Sequence, residues 1–168
     1  MINLRSFNII DINEVYLSWI NNKKNMQFSR HSSKNYSREE ALDFYHGIIS
    51  SGNLFFAIEL VLGNSKKHIG NLTVYFDSLK RNADIGIMIG DEIYQGKGYA
   101  REAMSQVIKL LFFEYGVEKI TCGMMDVNKP MVRLCTSLGM HYEKVISESV
   151  PFQDKIVKMV RYALESEK

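Results

Sequence analysis

The stretch that most restricts this chain is Asp84-Ile85-Gly86-Ile87-Met88-Ile89 followed, after residues 90–94, by Gln95-Gly96-Lys97-Gly98-Tyr99-Ala100. The first part reads as a strand running from Asn82 to Ile89, and the second is a glycine-rich turn. Behind the turn, Ala103, Val107, Leu110 and Leu111 fall on one stripe. That spacing predicts a helix from about Tyr99 to Tyr115, with Gly116 as its C-cap. A strand that feeds such a turn into a helix N-terminus makes an anion site. The first helical N–H groups have no partner, the helix dipole favours negative charge, and glycine lets the backbone approach a pyrophosphate. A phosphate-binding P-loop is excluded, because no Lys-Ser/Thr pair follows the last glycine. The dinucleotide fingerprint needs an early strand of a parallel sheet, and the strands before this turn read as antiparallel.

The other elements follow from period and punctuation. Residues 2–10 suit a strand, and Asp11 is placed to cap a helix carrying Ile12, Val15, Tyr16 and Trp19. Residues 21–36 are polar and irregular, a loop. Ser37-Arg38-Glu39-Glu40 is a capping-box pattern opening a helix with Ala41, Leu42, Tyr45, Ile48 and Ile49 on its apolar positions. Leu54–Leu62, His68–Phe76 and Asn82–Ile89, joined by Gly63-Asn64-Ser65 and Ser78–Arg81, predict an antiparallel meander. Lys119–Met125 reads as a strand, Lys129–Leu138 as a helix closed by Gly139, and residues 140–148 and 155–164 as two strands across a bend at Pro151. The order is β-α-α-β-β-β-α-β-α-β-β. It predicts an α/β fold with a mixed, mainly antiparallel central sheet flanked by helices. Only two prolines occur and no linker-like stretch divides the chain, so residues 1–168 are expected to be one domain.

At the glycine turn the sequence resembles a known family. Gln95, Gly98 and Ala100 match the fixed positions of Gln/Arg-x-x-Gly-x-Gly/Ala, the acetyl-CoA signature of the GNAT family of N-acetyltransferases. Arg101-Glu102-Ala103 resembles the branch of ribosomal-protein alanine, spermidine and nucleotide-amino-sugar acetyltransferases. Ile69-Gly70-Asn71-Leu72, Asp84-Ile85-Gly86, Asn128 and Leu138-Gly139-Met140 resemble further family features in the family's order. The resemblance implies splayed strands and a division of labour. The backbone at Ile87 and Ile89 would hold the pantetheine arm, the backbone of Gln95, Gly96, Lys97, Gly98, Tyr99 and Ala100 the pyrophosphate, and Asn128 the pantetheine near the thioester. Acetyl-CoA is the cosubstrate, and no metal is required. Two departures stand out. The connection from Asp84 to Gln95 is one residue longer than is usual in this branch. The position seven residues after Asn128, where many members carry a tyrosine as general acid, is Cys135.

An amine acceptor reaches the site mostly protonated, so a group must take its proton; Asp84 is the candidate base. Arg30 and Lys34, in the loop that borders the acceptor cleft in the resembled family, are candidates for binding a phosphate on the acceptor. The expected acceptor is a primary amine on a small molecule, with an amino sugar, nucleotide-linked or not, as the first choice. The alternatives are a protein N-terminus or a polyamine, and, in another class, a module that binds acetyl-CoA without turnover. Glu102 reads as a first-turn carboxylate favoured by the helix dipole, and Cys135 as a small buried hydrophobe. Tyr94 and Tyr99 suit either the groove or aromatic packing. The four histidines show no metal spacing. A net charge of +2 on 168 residues does not suit nucleic acid, and no apolar run of about 20 residues suggests a membrane span. With Cys122 and Cys135 the only cysteines and no secretory leader, a cytoplasmic setting is expected. A homodimer is left open.

Overall fold

The structure, a computed structural model, describes residues 1–29 and 32–166. Seven strands form one sheet: β1 (Ile2–Ser6), β2 (Leu54–Leu62), β3 (Ser65–Phe76), β4 (Asn82–Ile89), β5 (Lys119–Met125), β6 (His141–Phe152) and β7 (Lys155–Glu165). Their spatial order is β1-β2-β3-β4-β5-β7-β6. Every pairing is antiparallel except β4 with β5. Among the described residues four α-helices complete the fold: α1 (Glu14–Ile20), α2 (Arg38–Ser50), α3 (Tyr99–Phe113) and α4 (Lys129–Ser137). The expected order of elements and the mainly antiparallel α/β architecture hold.

Two apolar layers lie on the two faces of the sheet. On one face α3 buries Ala103, Met104, Val107 and Leu111 against Leu72, Val74, Ile85 and Ile120. Each large side chain so buried contributes roughly 1.5–3 kcal/mol. On the other face α1 and α2 bring Tyr16, Trp19, Ala41 and Ile48 onto Phe7, Phe55 and Ala57. The Phe7 and Phe55 rings stack with centroids 4.1 Å apart. β2 supplies both layers by strand alternation, Phe55 and Ala57 to one face and Ile58 and Leu60 to the other.

Several boundaries differ from expectation for physical reasons. β1 ends at Ser6, and Asp11 sits in a short 3-10 turn (Ile9–Asp11) rather than capping α1. Its carboxylate is taken by Arg5, at 2.6 and 2.8 Å, and by the Asn8 N–H. Asn13 caps α1 instead, accepting from the N–H groups of Val15 and Tyr16. α3 stops at Phe113 with Glu114 as its C-cap, so Gly116, at φ 65°, lies beyond the cap. β3 begins at Ser65, three residues before the expected start. Pro151 does not bend the chain: it lies within β6 opposite Ile156, and the turn comes at Gln153, at φ 53°. β6 is an edge strand, where a residue without an N–H is tolerated.

Candidate active site

The parallel pairing of β4 with β5 is confined to three rungs: Asn82–Lys119, Ala83–Ile120 and Asp84–Thr121. Beyond them β4 stays with β3 as far as Ile89, and β5 stays with β7 as far as Met125. The two inner strands therefore part at Asp84 and Thr121. The Gly90 N–H donates to the Ile69 carbonyl of β3 at 2.9 Å. By strand alternation the amides of Ile87 and Ile89 then face away from β3, into the gap. The Ile89 carbonyl is indeed reached from that side, by Gln95 Nε2 at 2.8 Å.

A cavity of about 530 Å³ opens along this gap. It is lined by Ile87 and Ile89, by Gly96, Gly98, Tyr99 and Ala100 at the start of α3, and by Asn128, Pro130 and Met131 at the start of α4. Gly96 (φ 70°) and Gly98 (φ 85°) adopt the conformation that favours glycine, and a Cβ on either meets no atom within 4 Å. The added carbon would project into open space at the mouth of the helix. No side chain caps the first turn of α3. Its N–H groups, with Arg101 and Arg133 also lining the cavity, form a cradle that fits a pyrophosphate. Lys97 is not part of the lining. Its ammonium lies 5.8 Å from the centre of the Tyr94 ring, and Lys67 lies 4.9 Å from the same centre.

A second cavity, about 430 Å³, shares Ile87, Ile89, Gly96, Asn128 and Pro130 with the first and is completed by the loop segment Lys24–Ser29. Gln95 holds that segment to β4. Its amide donates to both the Ile89 carbonyl and Asn25 Oδ1 at 2.8 Å, while Asn25 Nδ2 donates to the Gly90 carbonyl at 2.8 Å. Gln95 thus supplies structure through its side chain. Phe28 at the rim stacks on Phe152 of β6, with ring centroids 5.6 Å apart.

Asp84 points to neither cavity. Being an odd number of residues from Ile87 and Ile89, it lies on the opposite face of β4. It lines a third cavity, about 460 Å³, with Tyr75, Lys119, Thr121, Gly123, Glu143 and Arg161 among its walls. The Thr121 hydroxyl donates to Asp84 Oδ1 at 2.6 Å. Burial pushes the Asp84 carboxyl up, against the pull of the Thr121 bond and the Arg161 charge. A raised carboxyl is a better proton acceptor near neutrality.

Other expected residues fall elsewhere. Lys34 pairs with Glu40 at 2.8 Å, rests 4.9 Å from the Tyr36 ring centre, and lines none of these three cavities. Arg30 lies outside the described residues. Glu102 accepts the Ile2 N–H at 2.6 Å, which ties β1 to α3 and accords with a structural role. Asn128 caps α4, its Oδ1 accepting the Met131 N–H at 3.2 Å, while lining both connected cavities. Cys122 and Cys135 are free and buried. Cys122 is pushed well above the usual thiol range by its bond to Cys135 and by burial, so a thiolate is disfavoured there. Sequence reading missed Asn25, Thr121, Glu143 and Arg161. Of these only Asn25 carried a local signal, its place in the polar loop.

Residues 2–141 match the family described as the acetyltransferase (GNAT) domain. A prophage-derived, uncharacterised N-acetyltransferase of Bacillus subtilis (strain 168), YokL, is 30% identical over 86 residues. That alignment takes in 51% of this chain and 46% of the relative, so the match spans about half the length of that curated relative. Among solved structures, spermidine N-acetyltransferase from Vibrio cholerae, in complex with CoA and spermine, superposes with a TM-score of 0.84 at 22% identity, covering 98% of this chain and 95% of that one. A GNAT-family acetyltransferase from Bacillus anthracis superposes with a TM-score of 0.80 at 20% identity, covering 98% and 94%. At these identities the two structures speak for the fold alone. With the family match running over residues 2–141, the chain belongs to the GNAT acetyltransferase family.

Proposed function

We propose that the chain, as one domain over residues 1–168, transfers the acetyl group of acetyl-CoA to a primary amine of a small molecule. The observation that carries this reading is the parting of β4 and β5 at Asp84–Thr121, with a glycine-walled groove on one face and a carboxylate-bearing cavity on the other. When bound, acetyl-CoA supplies an acyl thioester that an uncharged amine can open. The chain's own contribution is positioning and proton transfer. The first turn of α3 and the backbone of Gly96 and Gly98 bind phosphate, the gap-facing amides of Ile87 and Ile89 and the side chain of Asn128 orient the arm, and Asp84 accepts the amine's proton from the opposite face.

The expectation of a nucleotide-linked amino sugar drew on Arg30 and Lys34. Lys34 is paired with Glu40 at the surface, an exposed and therefore weak ion pair that an acceptor phosphate would have to displace. The Asp84 cavity has no acidic excess to draw a polyamine, because Lys119, Lys144 and Arg161 balance Asp77, Asp84 and Glu143 along its walls.

The test is release of CoA thiol from acetyl-CoA across a panel of amines, with wild type and Asp84→Asn. Asp84→Asn keeps the shape and removes the base. kcat/KM near neutrality should fall by about 10²–10⁴ while acetyl-CoA affinity holds. The wild-type acid limb should lie above the usual carboxylate value of about 3.9, since burial raises this group, and should vanish in the variant. Wild-type kcat/KM in the variant from pH 6 to 9 would remove Asp84 from the mechanism. Acetyl-CoA binding without thiol release for any amine would leave a binding module instead.

A further inference from the structure

The cavity around Asp84 contains an unmet demand that narrows the acceptor. Arg161 Nε is buried and has no hydrogen-bond partner among the described residues, and neither does Glu143 Oε2 beside it. The two residues approach only to 4.0 Å, between Arg161 Nη1 and Glu143 Oε2. The other Glu143 oxygen, Oε1, is already taken by Lys119. Among the described residues that donor and acceptor are left unmatched and closed off from solvent, so Glu143 does not neutralise the guanidinium, a third of whose side chain stays exposed where Arg161 lines the cavity. An anion meets the guanidinium, and an N–H group on the same molecule meets the carboxylates. A plain amine does only the second.

The placement fits a single small molecule. Gly123, with no side chain, pairs with Arg161 across β5 and β7, and Thr121, two residues back on the same face of β5, bonds Asp84. From strand spacing, the Asp84 and Arg161 Cα atoms are roughly 12 Å apart. Both side chains stand off the same face of the sheet, so a molecule lying across their tips can reach one with an ammonium and the other with an anionic group a few bonds away. Arg161 is the cation whose charge pulls on the Asp84 carboxyl, so the two groups lie within electrostatic reach. A volume of about 460 Å³ is within the range of small-molecule sites.

We propose that the acceptor is a compact zwitterionic amine carrying a carboxylate or phosphate a few bonds from its amino nitrogen, with Arg161 binding the anionic group while Asp84 faces the amine. This rests on the acetyl-transfer reading above, and the test separates the two. Matched probes are used: glycine and β-alanine for carboxylate, phosphoethanolamine for phosphate, ethanolamine and propylamine without an anion, spermidine as a polycation, and acetate as an anion without an amine. Each is measured for thiol release from acetyl-CoA, and separately for direct binding by calorimetry without acetyl-CoA.

At least one zwitterionic probe should exceed its neutral counterpart by tenfold or more in kcat/KM and in affinity, and should bind better than acetate. Arg161→Gln should erase that preference by raising the zwitterion KM at least tenfold more than the propylamine KM, with acetyl-CoA affinity held, so the ratio of the two is the readout rather than the rate with either amine alone. Should Arg161→Gln fail to fold, Arg161→Met, which keeps the stem and removes the charge, carries the same expectation of a selective KM loss. Preferential binding of a zwitterion that depends on Arg161, without thiol release, would sink the enzyme reading and leave this site standing. Equal or better use of propylamine or spermidine, absence of binding by every zwitterionic probe, or a zwitterion preference that survives both substitutions, would overturn the proposal.

Discussion

Gly98→Val tests the cofactor cradle, and the structure separates its effects on folding from its effects on binding. Gly98 has φ 85°, so any side chain carries backbone strain there, of the order of 1–2 kcal/mol for a left-handed residue. A Cβ at Gly98 meets no atom within 4 Å, so no packing clash adds to that. In a domain of this size the strain lowers Tm by about 2–4 °C per kcal/mol, and the protein stays folded at 25 °C. The branched carbons project into the groove, where they keep phosphate oxygens from the first N–H groups of α3. Hydrogen bonds to charged groups contribute about 1.5–3 kcal/mol each, so losing two raises the acetyl-CoA Kd by about 10²-fold or more. Gly63→Val is the control: φ 59°, no atom within 4 Å, and a position in the β2–β3 turn away from the groove. It carries similar strain and should leave acetyl-CoA affinity alone. Calorimetry and thermal melts on both variants decide the matter. Unchanged affinity in Gly98→Val, or equal losses in the two variants, refutes the cradle.

Two further outcomes concern the scaffold. A Cβ on Gly90 would lie 2.1 Å from Trp19, so Gly90→Ala should destabilise by about 1–3 kcal/mol in thermal melts and, by shifting the Trp19–Asn25–Gly90 contacts, weaken the loop that walls the second cavity. Asp11 and Glu59 both titrate below the usual carboxylate range: burial raises each, but bonds to Arg5 outweigh it. Lowered folded values mean stabilisation that is full above the unfolded carboxylate pKa, about 4, and is lost as pH falls through the folded values. Tm should therefore hold from pH 7 to about 5 and drop below about 4, with Arg5→Ala lowering stability at pH 7 by about 1–3 kcal/mol and flattening the acid loss. An Arg5→Ala variant with the wild-type acid profile would break this account.

How far the sequence could be read depended on how local each feature was. The capping box at Ser37 and Glu40 formed both of its bonds, because all its atoms lie within one turn. The groove was legible for the same reason: Ile87, Ile89 and Gly96–Ala100 are near neighbours in the chain, and the glycines announce their own backbone conformation. Asp11 misled because its partner, Arg5, belongs to a strand and outbids the helix for the carboxylate. Lys34 looked free in a polar loop but faces Glu40, six residues on. Arg161 carried no signal at all. It reaches the cavity of Asp84 only because the last strand of the chain inserts between β5 and β6, and no periodicity in β7 reveals that order.

The same topology explains how one strand can serve two ligands without confusing them. Strand alternation sends Ile85, Ile87 and Ile89 to the face of α3 and Asp84 to the other. In an unbroken sheet those faces never communicate, because β5 would fill the backbone edge of β4. Here the pairing ends at Asp84–Thr121, so that edge is left open, and on the proposed reading its amides hold the extended arm. The closed rungs below the parting fix Asp84 through Thr121, while the open stretch above leaves room for the thioester. Substitutions should therefore sort by face rather than by distance along the chain. On the proposed reading, changes at Gly98 or Asn128 should act on acetyl-CoA, changes at Arg161 on the acceptor, and changes at Asp84, at the last closed rung, on the proton the amine gives up.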